Sequence, residues 1–155
     1  MTNTTLLAKH LRDVYFGGNW TAVNMKDAVT GVDWRQATQK VNSLNTIAAL
    51  VFHINYYVDA ILKVLLDQPL DAKDKFSFDH PPVQSENEWQ HLLEKSWTDA
   101  EELAKEIEKI PDSRLPEIFV HEKYGTYHRN FIGLLEHTHY HLGQIVIVKK
   151  IIQAN

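Results

Sequence analysis

Three histidines fall within five residues of one another, His137-Thr138-His139-Tyr140-His141, and their spacing sorts them by what they can do together. A helix advances about 100° per residue, so His137 and His141 stand one above the other, while His139 is turned by roughly 200° from His137 and faces away. Two imidazoles four residues apart can converge on one metal ion at about 2.0 to 2.1 Å from each nitrogen, which is why the spacing recurs in zinc-binding helices. His141 also falls on the apolar seam of its segment, where an imidazole without a partner is costly to bury. A further histidine, His53, sits in the middle of a second apolar segment, beside its seam. His53, His137 and His141 are therefore the candidate metal ligands. Taken singly, each also reads as a core or boundary histidine satisfied by hydrogen bonds. Three imidazoles on one ion leave coordination positions open, as catalytic metal sites do.

Other chemistries are narrowed by inventory. No cysteine is present, so disulfides, thiolate ligands and a protein-borne thiol nucleophile are excluded, and any thiol chemistry needs an external thiol. Two Glu-x-x-His pairs, Glu88 with His91 and Glu136 with His139, suggest a di-iron carboxylate site. That site needs another glutamate from each of two further helices, and none occurs before Glu86. Ser-His-Asp and glycine-rich phosphate signatures are absent. Gln144, on the same face as His141, reads either as a group that orients a ligand or as a helix-to-helix hydrogen bonder. Tyr57 and Tyr140 are candidate hydrogen-bond donors near the histidines, or plain core and boundary tyrosines.

The elements that must position these residues are helical. From Ser43 to about Leu66, Leu44, Ile47, Val51, Ile54, Val58, Ile61 and Leu65 recur at steps of three and four. From Glu86 to Lys109, Trp89, Leu93, Ser96, Ala100, Leu103 and Ile107 do the same, and Pro111 ends the run. The last helix is expected from about Asn130 to Gln153 with Phe131, Leu134, Thr138, His141, Ile145, Val148 and Ile152 on its seam. A shorter first helix, capped by Thr4 or Thr5 and stopped at Gly17-Gly18, carries Leu6, Leu7, Leu11, Val14 and Tyr15. The stretch 19–42 reads as a connection with short helical turns, Asp33 capping one that holds Trp34 and Ala37, and Trp20 folding back onto the core. Residues 67–85 and 111–129 form two more long connections. An all-α bundle with long crossovers is the economical architecture.

With 155 residues, 44% of them hydrophobic and no low-complexity stretch, a single domain over 1–155 with a proper core is expected. A net charge of −4 offers no attractive field for phosphate backbones, so nucleic acid is a poor default partner. The N-terminus lacks a basic segment followed by an apolar run, and the apolar stretches are interrupted by His, Asn, Asp and Lys. No membrane association and a cytoplasmic location follow as expectations.

The segment Glu136-His137-Thr138-His139-Tyr140-His141-Leu142-Gly143-Gln144-Ile145 resembles the final-helix pattern of the DinB-like proteins, in which two histidines four apart are followed by Gly-Gln-Ile. Ala49-Leu50-Val51-Phe52-His53-Ile54 is similar to the second-helix pattern with its single ligand histidine. Asn19-Trp20, the Trp34-to-Ala37 turn and Tyr124-Gly125 through Arg129-Asn130 extend the likeness over most of the chain. The family includes bacillithiol-transferase-like and mycothiol-dependent maleylpyruvate isomerase-like groups. The resemblance implies an up-up-down-down four-helix bundle in which His53, His137 and His141 hold a divalent ion, zinc or nickel, and its members are often homodimers. It implies in turn a metal-dependent transferase using a low-molecular-weight thiol, or a hydrolase, acting on a small molecule. The alternative is a noncatalytic metal- or ligand-binding bundle.

Overall fold

The computed structural model describes residues 1–154, and among them the secondary structure is helical, as the periodicity requires. The helices are α1 (Asn3–Phe16), α2 (Met25–Val29), α3 (Trp34–Thr38), α4 (Ile47–Leu65), α5 (Glu86–Lys109) and α6 (Tyr127–Gln153), with short 3-10 turns in the connections.

Each start is set by a side chain that takes up a free backbone N–H of the first turn. Thr46, Ser85 and Thr126 accept from the N–H groups of Ala49, Glu88 and Arg129. Asp33 and Gln36 form the reciprocal cap of α3 expected from the sequence. Two starts differ from expectation. α4 begins at Ile47, because Asn42 has a left-handed φ of +47° and Thr46 supplies the cap, so Leu44 lies outside the helix and is exposed. α6 begins at Tyr127, because Asn130 donates to the Tyr124 and Thr126 carbonyls instead of opening the helix.

α1 is capped by Thr2, not by Thr4 or Thr5, and the reason is long-range. Asp112, just beyond α5, accepts from the backbone N–H groups of Asn3 and Thr4 at 2.9 and 3.0 Å, and the buried Thr4 hydroxyl donates to the same carboxylate. Gly17, at φ +112°, ends the helix in a conformation that a side chain would strain.

The long helices pack side by side in the cyclic order α1, α5, α4, α6. The seam residues of α5 and α6 are all buried, and on α4 the seam is buried from Ile47 to Ile61. Trp20 departs from expectation: it is fully exposed, because Asn19 bonds to Asp13, Thr21 and Val23 and turns the loop outward there. The buried tryptophan is Trp89, whose Nε1 donates to the Val32 carbonyl at 2.8 Å.

Side-chain pairings set the directions. Arg12 meets Glu101 and Glu108 while Asn3 and Thr4 meet Asp112, so α1 runs antiparallel to α5. α4 and α5 share one cavity between residues 52–59 and 87–95 and another between Leu62 and the last turns of α5, so they run parallel. Tyr57 and Ile61 line a cleft with Gly133 and His137, and Leu50 lies with Gln144 and Val148, so α6 is antiparallel to α4. The directions are therefore up-down-down-up and not the expected up-up-down-down. The long 17–46 connection does not cross the molecule. It folds into α2 and α3 at one end, where Lys149 of α6 donates to Thr30 and Glu86 of α5 accepts from the Trp34 N–H, and α4 turns back from there. Only residues 66–85 run the length of the helices. α4 is long and apolar enough to cross a membrane, yet most of it is buried inside the protein, as suits a core helix.

Hydrogen bonds to the charged form hold the Asp112 carboxyl below its usual range. A depressed folded pKa contributes stability that is present above the unfolded pKa and lost as pH falls through the folded one. Asp112→Ala is expected to lower the melting temperature at neutral pH, with the gap to wild type closing on acidification. Paired thermal melts across that range check it.

Candidate metal centre

The antiparallel crossing of α4 and α6 places His53 against His137 and His141, and a ring nitrogen from each lies within 4.8 Å of the others. The three ring centroids are 4.5, 4.6 and 4.9 Å apart. His53 and His141 are buried and His137 is half-buried. Tetrahedral coordination at the usual zinc–nitrogen length would set the nitrogens about 3.3 Å apart, so small side-chain movements would let all three bind one ion.

The other nitrogen of two of these rings is already spoken for. His53 Nδ1 is 3.2 Å from the Ser77 carbonyl oxygen, and His141 Nδ1 is 2.7 Å from Gln144 Oε1. Both oxygens are acceptors, so each Nδ1 carries the proton and each Nε2 presents a lone pair, the orientation that metal-binding histidines need. His53 Nε2 lies 3.0 Å from His137 Nε2. Two lone pairs cannot meet at that distance without a proton or a cation between them. His137 Nδ1 is buried without a partner. The donor set, three imidazoles with two of them oriented through Nδ1, fits a divalent transition metal.

Burial favours the neutral form of His53 and His137. It lowers the pKa of His53, with the nearby His141 adding to the effect. It lowers that of His137 further, to about 4, with His141 and His53 contributing. A neutral ring is the form that binds metal, so protons compete weakly here near neutrality.

One wall comes from the 67–85 connection. The Phe78 ring stacks on His53 at 3.8 Å between centroids, with 6° between planes. Buried Ser77 is held by its hydroxyl, which donates to the Asp74 carbonyl, and Tyr57 OH donates to the Asp74 carboxylate at 3.1 Å. Tyr57 also sets its ring edgewise to His53 and His137. Asp74, Ser77 and Phe78 carry no spacing or motif in the sequence that marks them as part of a site. The length of that connection was the one signal pointing to it.

The remaining candidates separate cleanly. His139 is half-buried on another face, its pKa lowered by burial and by His10 of α1. Glu88 accepts from the Gln84 N–H and the Ser85 hydroxyl at the start of α5, and Glu136 is exposed, so neither joins the cluster. Gln144 bonds within its own helix, to His141, and does not bridge helices. Tyr140 is 67% exposed, with its ring edgewise to His141.

No protein-family model matches this chain, and no curated protein or solved structure matches it. What fold and site define is an all-helical protein with a three-histidine cluster that could hold a metal ion.

Gln144→Ala removes the acceptor that orients His141 and is expected to weaken zinc binding about 10- to 100-fold. Gln144→Glu, which keeps an acceptor, should bind zinc more tightly than Gln144→Ala. Competition against a chromophoric chelator measures both.

Proposed function

We propose that this chain is a DinB-like four-helix bundle in which His53, His137 and His141 hold one divalent ion, zinc or nickel, and that it transfers a low-molecular-weight thiol to an electrophilic small molecule. The observation that carries this reading is the convergence of three imidazoles with the Nδ1 atoms of His53 and His141 tied to acceptors. The sequence likeness of the two histidine segments supports the family.

Such an ion lowers the pKa of a bound thiol or water and polarises a substrate oxygen. The residues of the chain supply the rest. Ser77 and Gln144 fix the orientation of two ligands, Phe78 covers one face of His53 against water, and His137 borders a cleft open to solvent. No carboxylate joins the three histidines among the described residues, which favours an open, catalytic site over a closed structural one. Because the chain has no cysteine, the nucleophilic thiol arrives from solution.

Elemental analysis of untagged protein, prepared without a nickel column, is expected to find about one divalent ion per chain, with His53→Ala and His141→Ala both losing it. Metal-free wild type that also fails to take up zinc or nickel would return the histidines to the core. With the ion in place, turnover is expected in a panel of small thiols and electrophilic acceptors, and His53→Ala should abolish it. Metal-loaded protein that is inactive throughout the panel would leave a noncatalytic metal-binding bundle.

A further inference from the structure

Beside His137, where α4 ends and α6 begins, lies a cleft of about 340 Å³ floored by Ile61 and Leu134 and walled by Tyr57 and Tyr124. Its volume suits a small metabolite rather than a peptide or a polymer. Its charge is one-sided. Lys123 and Arg129 line it, neither has an acidic partner within ion-pair distance among the described residues, and no carboxylate lines the cleft. The cavity between α4 and α5 is the contrast: Asp59 and Glu88 line it beside Lys95, which is already paired with Asp59 and Asp99. In a protein of net charge −4, both charged side chains that line the cleft at His137 are cationic.

Two glycines shape this cleft. Gly133 stands in the helix between Arg129 and His137, and a Cβ there would meet nothing within 4 Å. A mid-helix glycine costs about 0.5–1 kcal/mol relative to alanine, and no close-packed neighbour accounts for this one. What its lack of a side chain preserves is open space. Gly125, at φ +75°, lets the Arg129 stem lie against the backbone, since a Cβ would sit 2.7 Å from Arg129 Cδ. Lys123 Nζ lies over the Tyr124 ring at 4.7 Å. Arg129, Gly133 and His137 follow one another at four-residue steps along one side of α6. The Arg129 and His137 backbones are thus about 12 Å apart along the axis, and the two side chains can reach toward each other across the glycine.

We infer that this cleft binds a small molecule carrying a terminal oxyanion group, a carboxylate or a phosphate, which Arg129 and Lys123 hold while the molecule's other end reaches the metal at His137. The assignment rests on the reading of the histidine cluster as a metal site and narrows its substrate to anions. Arg129 presents the planar fork that matches an oxyanion in bidentate fashion, and Lys123 adds a point charge.

The test is calorimetric titration of zinc-loaded protein with 3-mercaptopropionate and with 2-mercaptoethanol, which share the thiol but not the anion, metal content being measured on each sample. Wild type is expected to bind 3-mercaptopropionate at least about tenfold more tightly, which is about 1.4 kcal/mol. Lys123→Gln/Arg129→Gln should erase that preference with zinc stoichiometry unchanged, and Gly133→Leu, which fills the cleft, should weaken both thiols. Equal affinities in wild type, or a preference that survives the double substitution, would overturn the assignment. Competition by succinate but not inorganic phosphate identifies a carboxylate, and the reverse identifies a phosphate. If the protein takes up no zinc, the metal reading fails separately, and succinate and phosphate become the probes. Binding of either that depends on Lys123 and Arg129 then upholds the anion site, and its absence removes it.

Discussion

Two imidazole nitrogens 3.0 Å apart in a part-buried cluster are the tightest constraint in this molecule. His53 cannot supply the proton between them, because its Nδ1 proton points at the Ser77 carbonyl and its Nε2 carries the lone pair. A proton on His137 Nε2 satisfies the contact but leaves the buried Nδ1 of that ring a bare acceptor. A cation shared by all three rings would satisfy the three Nε2 lone pairs together, with the His137 Nδ1 then carrying an unpartnered proton, so the three histidines could hold a metal ion.

Holding the rings so close depends on two kinds of support. Within α6, the four-residue spacing stacks His137 on His141, and Gln144 locks His141 from the next turn. Across helices, the support comes from the crossing of α4 over α6 and from the 66–85 connection, which must run back along the molecule because α4 and α5 are parallel. That passage carries Ser77 and Phe78 over His53. The same chain path that makes the topology costly in loop length thus supplies one wall of the site.

The opposite wall has a different character. On one side the Phe78 ring stacks on His53, whereas on the His137 side the site opens into a cleft whose lining charges are both positive. Under the inference drawn above, a face covered by Phe78 beside a cationic cleft would turn an anionic molecule with its charged end toward Arg129.

Much of this was legible along the chain. The seams of α5 and α6, the Asp33 cap, the Gly17 stop and the three histidines all depend on residues a few positions apart, and helical periodicity converts such spacing directly into a shared face. What escaped was decided by contacts between distant residues. Asp112 displaced the start of α1 from more than a hundred positions away, Asn19 turned Trp20 out to solvent while Trp89 filled the core, and the end-on folding of α2 and α3 reversed the direction expected for α4. Asp74, Ser77 and Phe78 carry no pattern of their own, and become part of the site only because the chain returns past His53. The sequence alone determined which side chains could meet on each helix, because periodicity is local. Tertiary structure alone decided which helices face one another and what covers the histidines, because helix direction and loop path follow from packing between segments that no local pattern relates.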